Sequence, residues 1–211
     1  MIGIMICCCY KYKNQYEKVS VYWNNIEKEH RMFRIFYLFG NPKIEKNEYN
    51  SKTKQLILKV EDNYESLPKK IYEAINYINL NFPEIEGIYK TDDDIEVKNI
   101  DELLRQIKLS CVKNINYCGL VVDKVDSGLI KETRLRKFSN KKLKDVKYDA
   151  SNYCYGAGYY ISKKSMNYIG SNKDYMYEQY LEDVSIGHIL NKYKIHPTKI
   201  AGRYKEIRRV K

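Results

Sequence analysis

Three consecutive aspartates, Asp92, Asp93 and Asp94, close an apolar stretch (Ile85, Ile88, Tyr89) and are followed at once by Ile95 and Val97. The pattern predicts a buried strand that ends in acids and turns over. Few folds accommodate it, because like charges at one strand end repel and need a cation to offset them. Oxygen ligands without thiolates favour a hard ion such as Mg²⁺ or Mn²⁺, and such an ion bridges naturally to a diphosphate. The plain structural alternative is a solvated acidic turn that caps the next helix.

The residues around the triplet decide what kind of sheet holds it. Gly3–Cys9 is a continuous apolar run, as expected of a central strand covered on both faces. Asn14–Glu29 carries Tyr16, Val19, Tyr22, Trp23 and Ile26 at helical spacing. Phe33–Phe39 reads as a second strand, stopped by Gly40, Asn41 and Pro42; Asn41–Lys54 reads as an exposed polar loop and Gln55–Val60 as a third strand. A helix beginning at Glu61–Tyr64 presents Leu67, Ile71, Ile75 and Ile78 inward, and Ile100–Ile107 forms another. Alternating strands and helices predict a parallel sheet with helices on both faces. In such sheets ligands bind at the carboxyl ends of the strands, which is where the triplet falls.

The second half is less regular. Tyr117–Val122 reads as a strand, and basic Asp126–Tyr148 as either a mobile loop or a pair of edge strands. Then come Tyr153–Ser162, containing Gly156-Ala157-Gly158-Tyr159, a helix from Lys163 to about Ile169, and a helix opened by Glu182-Asp183 that runs to about Tyr193. Two glycines one residue apart let a ligand approach the backbone, or mark a bulge. Acids in a first helical turn complement the helix dipole whatever else they do.

A chain of 211 residues suffices for one domain with a real core. A net charge of +11 draws it toward nucleic acid, anionic lipid or phosphate-bearing small molecules. The basic residues cluster only in Arg134–Lys147 and Arg203–Lys211. The abundance of Tyr, Lys, Asn and Ile also follows from AT-rich coding, which suggests a large DNA virus or a protist as source. Cys7, Cys8 and Cys9 lie in an apolar run, and with Cys111, Cys118 and Cys154 they suit a reduced interior better than a disulfide framework. The apolar start, Met1–Cys9, is too short for a membrane span, which needs about 20 residues, and lacks the basic lead of a signal peptide. The expectation is a soluble cytoplasmic protein, that of an infected host cell if the source is viral, or a domain cut from a longer one.

Six segments in order resemble the inverting beta-1,3-glycosyltransferases, the family of the beta-1,3-galactosyl- and N-acetylglucosaminyltransferases and of Fringe. They are the helix carrying Trp23, Phe36–Gly40, Asp62–Lys70, Lys90–Asp94, Tyr155–Ser162 and Glu182–Gly187. The last four are similar to Asp-x-Tyr-x-Asn-Leu-x-x-Lys, Lys-x-Asp-Asp-Asp, Tyr-x-x-Gly-x-Gly-Tyr-x-x-Ser and Glu-Asp-Val-x-x-Gly.

The resemblance implies a GT-A fold: one α/β domain over 1–211, mostly parallel, with a nucleotide-sugar half (about 1–110) and an acceptor half (about 111–211). It implies a UDP-sugar donor, a glycan or glycoprotein acceptor, Mn²⁺ (or Mg²⁺) and no nucleic acid. It makes Asp94 the direct metal ligand. Asp92 would touch ribose or a metal-bound water, and Asp93 is assigned only to the donor site. Asp62 and Tyr64 would hold the uridine. Lys70 and Lys90 would face the phosphates, or else be solvated. Asp183 would be the base that takes the acceptor proton. Gly156, Ala157, Gly158 and Tyr159 would border donor sugar and acceptor, and Glu182 would contact the acceptor or cap its helix. The family's metal-completing histidine has His196, in a loop before Pro197, as its candidate here, with His188 read as structural; otherwise the metal would rest on Asp94, water and diphosphate alone. Departures from the pattern are the missing Arg before Trp23, the absent late Val-His context and the lack of an anchor or extracellular disulfides, which together suggest a minimal cytosolic form. Two other readings stay open: a basic nucleic-acid-binding protein or Mg²⁺-dependent nuclease, and a catalytically inactive sugar-binding relative.

Overall fold

The computed structural model describes residues 1–97, 99–125, 128–129, 147–148, 151–200 and 207–209. Its centre is β1 (Ile2–Cys7), buried at all six positions. Parallel neighbours flank it, β2 (Phe33–Gly40) on one side and β5 (Gly87–Asp92) on the other. Beyond β2 lie β4 (Gln55–Leu58), parallel, and β3 (Glu48–Asn50), antiparallel to β4. Beyond β5 lies β10 (Ser151–Ser162), which runs antiparallel to it. Next come β7 (Tyr117–Val125), antiparallel to β10, and β11 (Thr198–Lys199), parallel to β7. The eight-stranded order is β11-β7-β10-β5-β1-β2-β4-β3.

Side chains of β1 and β2 alternate between two apolar layers, as a pleated strand requires. Met5, Cys7, Phe36 and Leu38 face the layer filled by α2 (Leu67–Asn81), α4 (Lys163–Gly170), α5 (Lys173–Glu178) and α6 (Glu182–Lys192). Ile4, Ile6, Ile35 and Tyr37 face α1 (Lys13–Glu29), with Trp23 and Ile26, and α3 (Ile100–Val112), with Leu103, Leu104 and Ile107. Burying each such side chain stabilises by roughly 1.5–3 kcal/mol relative to exposure, which makes the two-sided sheet the rigid part of the molecule.

Local chemistry sets the helix starts. The Asn99 side chain accepts from Glu102 N ahead of α3, and Ser162 accepts from Ser165 N ahead of α4. Pro68 sits in the first turn of α2, where its missing N–H costs nothing. That helix begins at Leu67 rather than Glu61, because Asp62 is engaged elsewhere. The expected loop over Asn41–Lys54 contains β3, an exposed edge strand whose single apolar anchor is Tyr49 against Phe36 and Phe82. Helix α5 had no counterpart in the sequence reading. Of Asp126–Tyr148, β8 (Gly128–Leu129) and β9 (Lys147–Tyr148) are described and pair antiparallel; the rest of that stretch, including the basic cluster from Arg134 to Asp145, lies outside the described residues. In Arg203–Lys211 only β12 (Ile207–Arg209) is described, paired with β6 (Ile95–Val97). No helix among the described residues is long and apolar enough to cross a membrane.

Candidate active site

Strand β5 delivers the acids to the carboxyl edge of the sheet. Asp92 is its last residue, in register with Cys7, and Asp93-Asp94 turn the chain into β6. The turn is pinned by Asp93 N donating to Cys7 O at 3.1 Å. Asp93 is 9% exposed, and its Oδ2 is buried with no hydrogen-bond partner among the described residues. Burial, then Asp92 and Asp94, push its carboxyl up to about 7.

Lys90 is two residues upstream and only 1% exposed. Its Nζ donates to Asp92 Oδ1 at 2.6 Å and to Gly156 O at 2.5 Å, and lies 3.8 Å from Glu182 Oε2. Burial alone would pull this amine down; Asp92 and Glu182 outweigh it and hold Lys90 well above its usual value. Of the two roles weighed for Lys90, phosphate ligand or solvated lysine, burial excludes the second. The β5 lysine joins three elements from inside.

Gly156 is the second junction. The pairing of β10 with β7 shifts register between Cys154 and Tyr159, a bulge that gives the intervening backbone other partners. Gly156 N donates to Asp183 Oδ2 at 3.2 Å while its carbonyl accepts from Lys90. Ala157 O accepts from Thr91 Oγ1 at 3.0 Å. A Cβ on Gly156 would lie 3.3 Å from Glu182 Oε2 and 3.4 Å from Asp183 Oδ2, and one on Gly158 would run into the Tyr89 hydroxyl. Gly156 lets the strand pass close under the acids, and Gly158 makes room for Tyr89.

Those acids open α6. Gly187 seats this helix on β10, where a Cβ would come within 2.7 Å of Asn152 O. Glu182 and Asp183 are 4% and 7% exposed. Asp183 Oδ1 also accepts from Val184 N at 3.0 Å. The Tyr159 hydroxyl donates to Glu182 Oε1. Burial pushes Glu182 up to about 7, opposed by Lys90 and reinforced by Asp183. The raised value has a consequence for stability. A carboxyl that ionises less readily folded than unfolded adds stability below its ordinary value of 4.5, and loses it as pH rises through about 7. The metal-free protein is therefore expected to melt at lower temperature at pH 8 than at pH 5. Glu182→Gln should flatten that dependence, as thermal denaturation across this range would show.

Asp62 and Lys70 form a second group along the same edge. Asp62 Oδ1 accepts from Gly40 N at 3.0 Å and from Lys70 Nζ at 2.5 Å, and its Oδ2 accepts from Tyr10 N at 2.8 Å. Lys70 also donates to Cys8 O at 2.5 Å and is buried, so it too is not solvated. Tyr64 is half-buried nearby in sequence, ahead of α2. Sequence reasoning missed Tyr10: 50% exposed, it follows the end of β1 and stacks on Phe39 at 4.6 Å. Its one sequence signal is an aromatic residue just past the central strand.

His196 stands apart. Its Nδ1 lies 2.7 Å from Asn191 Oδ1, near the end of α6 opposite Asp183. At 1.5 Å per helical residue, Asn191 is about 12 Å along the axis from Asp183. His196 therefore lies at the end of α6 far from Asp183. His188 stacks on Tyr175 at 5.0 Å, in keeping with a structural role. Among the described residues no three His, Cys, Asp or Glu side chains form a ready metal-ligand group.

A mixed α/β sheet with acids at the carboxyl edge of its parallel strands, crossed there by an antiparallel strand, is a GT-A-type nucleotide-sugar transferase fold. Solved structures agree. A 4-diphosphocytidyl-2C-methyl-D-erythritol synthase from Anaerococcus prevotii superposes with a TM-score of 0.52 at 12% identity, over 100% of this chain and 93% of that one. A glycosyltransferase involved in glycosylation of the major capsid of PBCV-1 gives 0.51 at 13% identity, over 94% and 81%. The galactosyltransferase family profile matches residues 17–201, and the chain belongs to that family. Human beta-1,3-galactosyltransferase 1 is 28% identical over 146 residues, 67% of this chain and 42% of that protein. Mouse beta-1,3-galactosyltransferase 4 is 29% identical over 111 residues, 49% and 29% respectively. The chain thus spans less than half the length of these curated relatives.

Proposed function

We propose that this chain carries the catalytic domain of a metal-dependent inverting glycosyltransferase, which moves a hexose (Gal, GlcNAc or Glc) from a UDP-sugar to a hydroxyl of a glycan acceptor. One observation carries the reading: Gly156 binds the Asp183 carboxylate through its N–H and, through its carbonyl, accepts from Lys90, which in turn donates to Asp92. A base and the strand-end acids thus stand around one residue.

The triplet suits a hard divalent cation. Its donors are all oxygen, and the buried, unpartnered Oδ2 of Asp93 sits among them. Asp94, with Asp92 or a water it holds, would bind Mn²⁺ or Mg²⁺; His196 would have to leave its Asn191 partner to join them. Since no three His, Cys, Asp or Glu side chains among the described residues form a ready ligand group, diphosphate and water would complete the coordination. Bound there, the ion supplies neutralisation of charge gathering on the departing diphosphate.

The protein's own residues do the rest. Asp183 takes the proton of the acceptor hydroxyl as that oxygen bonds to the sugar's anomeric carbon and the bond to UDP breaks; one displacement inverts the centre. Gly156 N–H and Val184 N–H orient the carboxylate. Glu182, fixed by Tyr159, borders the acceptor. Asp62 contributes to the uridine end by shaping the loop of Tyr10, with Tyr64 and Lys70 beside it. Residues 1–110 would supply the donor half and 111–211 the acceptor half, with β10 crossing between them.

A ligand that binds the native state alone must stabilise it, by about 2.7 kcal/mol at a hundredfold excess over Kd. UDP with Mn²⁺ is therefore expected to raise the melting temperature more than GDP, CDP or TDP does. An equal shift with GDP or TDP would remove the uridine assignment. Extending the screen to UDP-Gal, UDP-GlcNAc and UDP-Glc identifies the sugar.

A further inference from the structure

Lys90 holds an unusual position for a cation: inside the sheet, between acids supplied by two distant parts of the chain. Asp92 comes from its own strand and Glu182 from the start of α6, and Lys90 Nζ lies within 2.6 Å and 3.8 Å of their oxygens. Its third partner, the Gly156 carbonyl, belongs to the residue whose N–H binds Asp183. The positions of Asp92 and Asp183 are thus fixed relative to one another through a single ammonium. Without it, Asp92 and Glu182 would lose the cation they share, Glu182 in a fully buried setting where repulsion is strong, and the Gly156 carbonyl would lose its donor. Gly156, which also holds Asp183 through its N–H, would then be held less firmly on the Lys90 side.

We propose that Lys90 is a positioning residue, which holds the metal-side acid Asp92 and the base Asp183 at a fixed separation before either substrate arrives. This rests on the glycosyltransferase reading above and deepens it. Lys90 touches no reacting atom in this scheme. Misplacement of about 1 Å by a change away from the chemistry can cost on the order of 100-fold in rate, and that is the loss expected.

A buried ion pair can also serve stability alone, so the test must separate the two roles. Lys90→Met removes the charge at similar length but leaves buried acids unpaired and risks failing to fold. Glu182→Gln relieves that burden, so the double variant K90M/E182Q is compared with E182Q. The readouts are kcat and KM for the UDP-sugar with Mn²⁺, UDP affinity with Mn²⁺ by calorimetry, and melting temperature. The expected result is a melting temperature close to that of E182Q, a kcat lower by a further factor on the order of 100 and weaker UDP affinity, because Asp92 has lost its tether. Should E182Q turn over too slowly to measure, the affinity comparison decides. A double variant matching E182Q in both kcat and UDP affinity overturns the positioning role and leaves the glycosyltransferase reading intact. Wild-type protein that binds UDP with Mn²⁺ no better than other nucleotides, and transfers no sugar, overturns both.

Discussion

Asp183→Asn is expected to reduce sugar transfer by about 10²–10⁴-fold, the contribution of a general base, while UDP affinity stays near wild type. In the proposed mechanism the base faces the acceptor hydroxyl and not the diphosphate, so the ground-state donor complex would not depend on its charge. The structure adds a refinement. Asp183 accepts two backbone hydrogen bonds, from Gly156 N and Val184 N, one on each oxygen. Asparagine retains one acceptor oxygen and turns an amide nitrogen toward the other donor. One bond is lost, costing about 1 kcal/mol, or about 2–4 °C in a domain of this size. Kinetics, calorimetry and melting of one variant therefore separate the roles. A purely structural aspartate would give the small melting shift and unchanged transfer.

The second large effect is expected at Asp94. Asp94→Ala should weaken Mn²⁺-dependent UDP binding by more than about 100-fold, the upper end of what loss of even an outer-shell partner costs, with the fold intact. The metal-free protein should become more stable at neutral pH. Asp94 is one of two neighbouring carboxylates that add to burial in holding Asp93 up at about 7, and removing it eases the ionisation of Asp93. Calorimetry with and without Mn²⁺ measures the first effect and melting at pH 7–8 the second. Normal UDP and Mn²⁺ binding by the variant would make the acidic turn structural.

How much of this was legible beforehand depended on the kind of signal. Strands β1, β2 and β5 announced themselves as apolar runs because both faces of a central parallel strand are buried. Trp23 and Ile26, or Ile71, Ile75 and Ile78, marked helices by their spacing. Asp92–Asp94, Gly156–Tyr159 and Glu182-Asp183 were visible because their composition conflicts with an ordinary core. What stayed hidden was direction and occupancy. Periodicity gives the same pattern for a strand of either polarity, so nothing along Tyr153–Ser162 said that β10 runs against β5 and presents its middle to the acids. Lys70 and Lys90 are buried, against the strong tendency of lysine to stay in water, because beside the nearby Asp62 and Asp92 they find partners far along the chain: Cys8 O for Lys70, Gly156 O and Glu182 for Lys90. No local pattern encodes such partners. Asp62 was legible as a functional candidate but not as the anchor of Tyr10, Gly40 and Lys70. The edge strand Glu48–Asn50 was hidden by its polarity.

The ammonium inside β5 also bears on how the protein is made. Two of its three partners, Gly156 O and Glu182, come 64 and 90 residues after Asp92 (156 − 92 and 182 − 92). At about 5–20 residues per second of synthesis, a nascent chain that has just completed β5 waits roughly 5–20 s before Glu182 is even polymerised. Strands β1, β2, β4 and β5 have their parallel pairings available throughout that interval, but closing them over Lys90 would bury a cation with Asp92 as its only partner. The ribosome-bound intermediate is thus disfavoured from sealing early, and it locks only when the last third of the chain docks. A product cut short before Gly156 would leave Lys90 with Asp92 as its one remaining partner of the three.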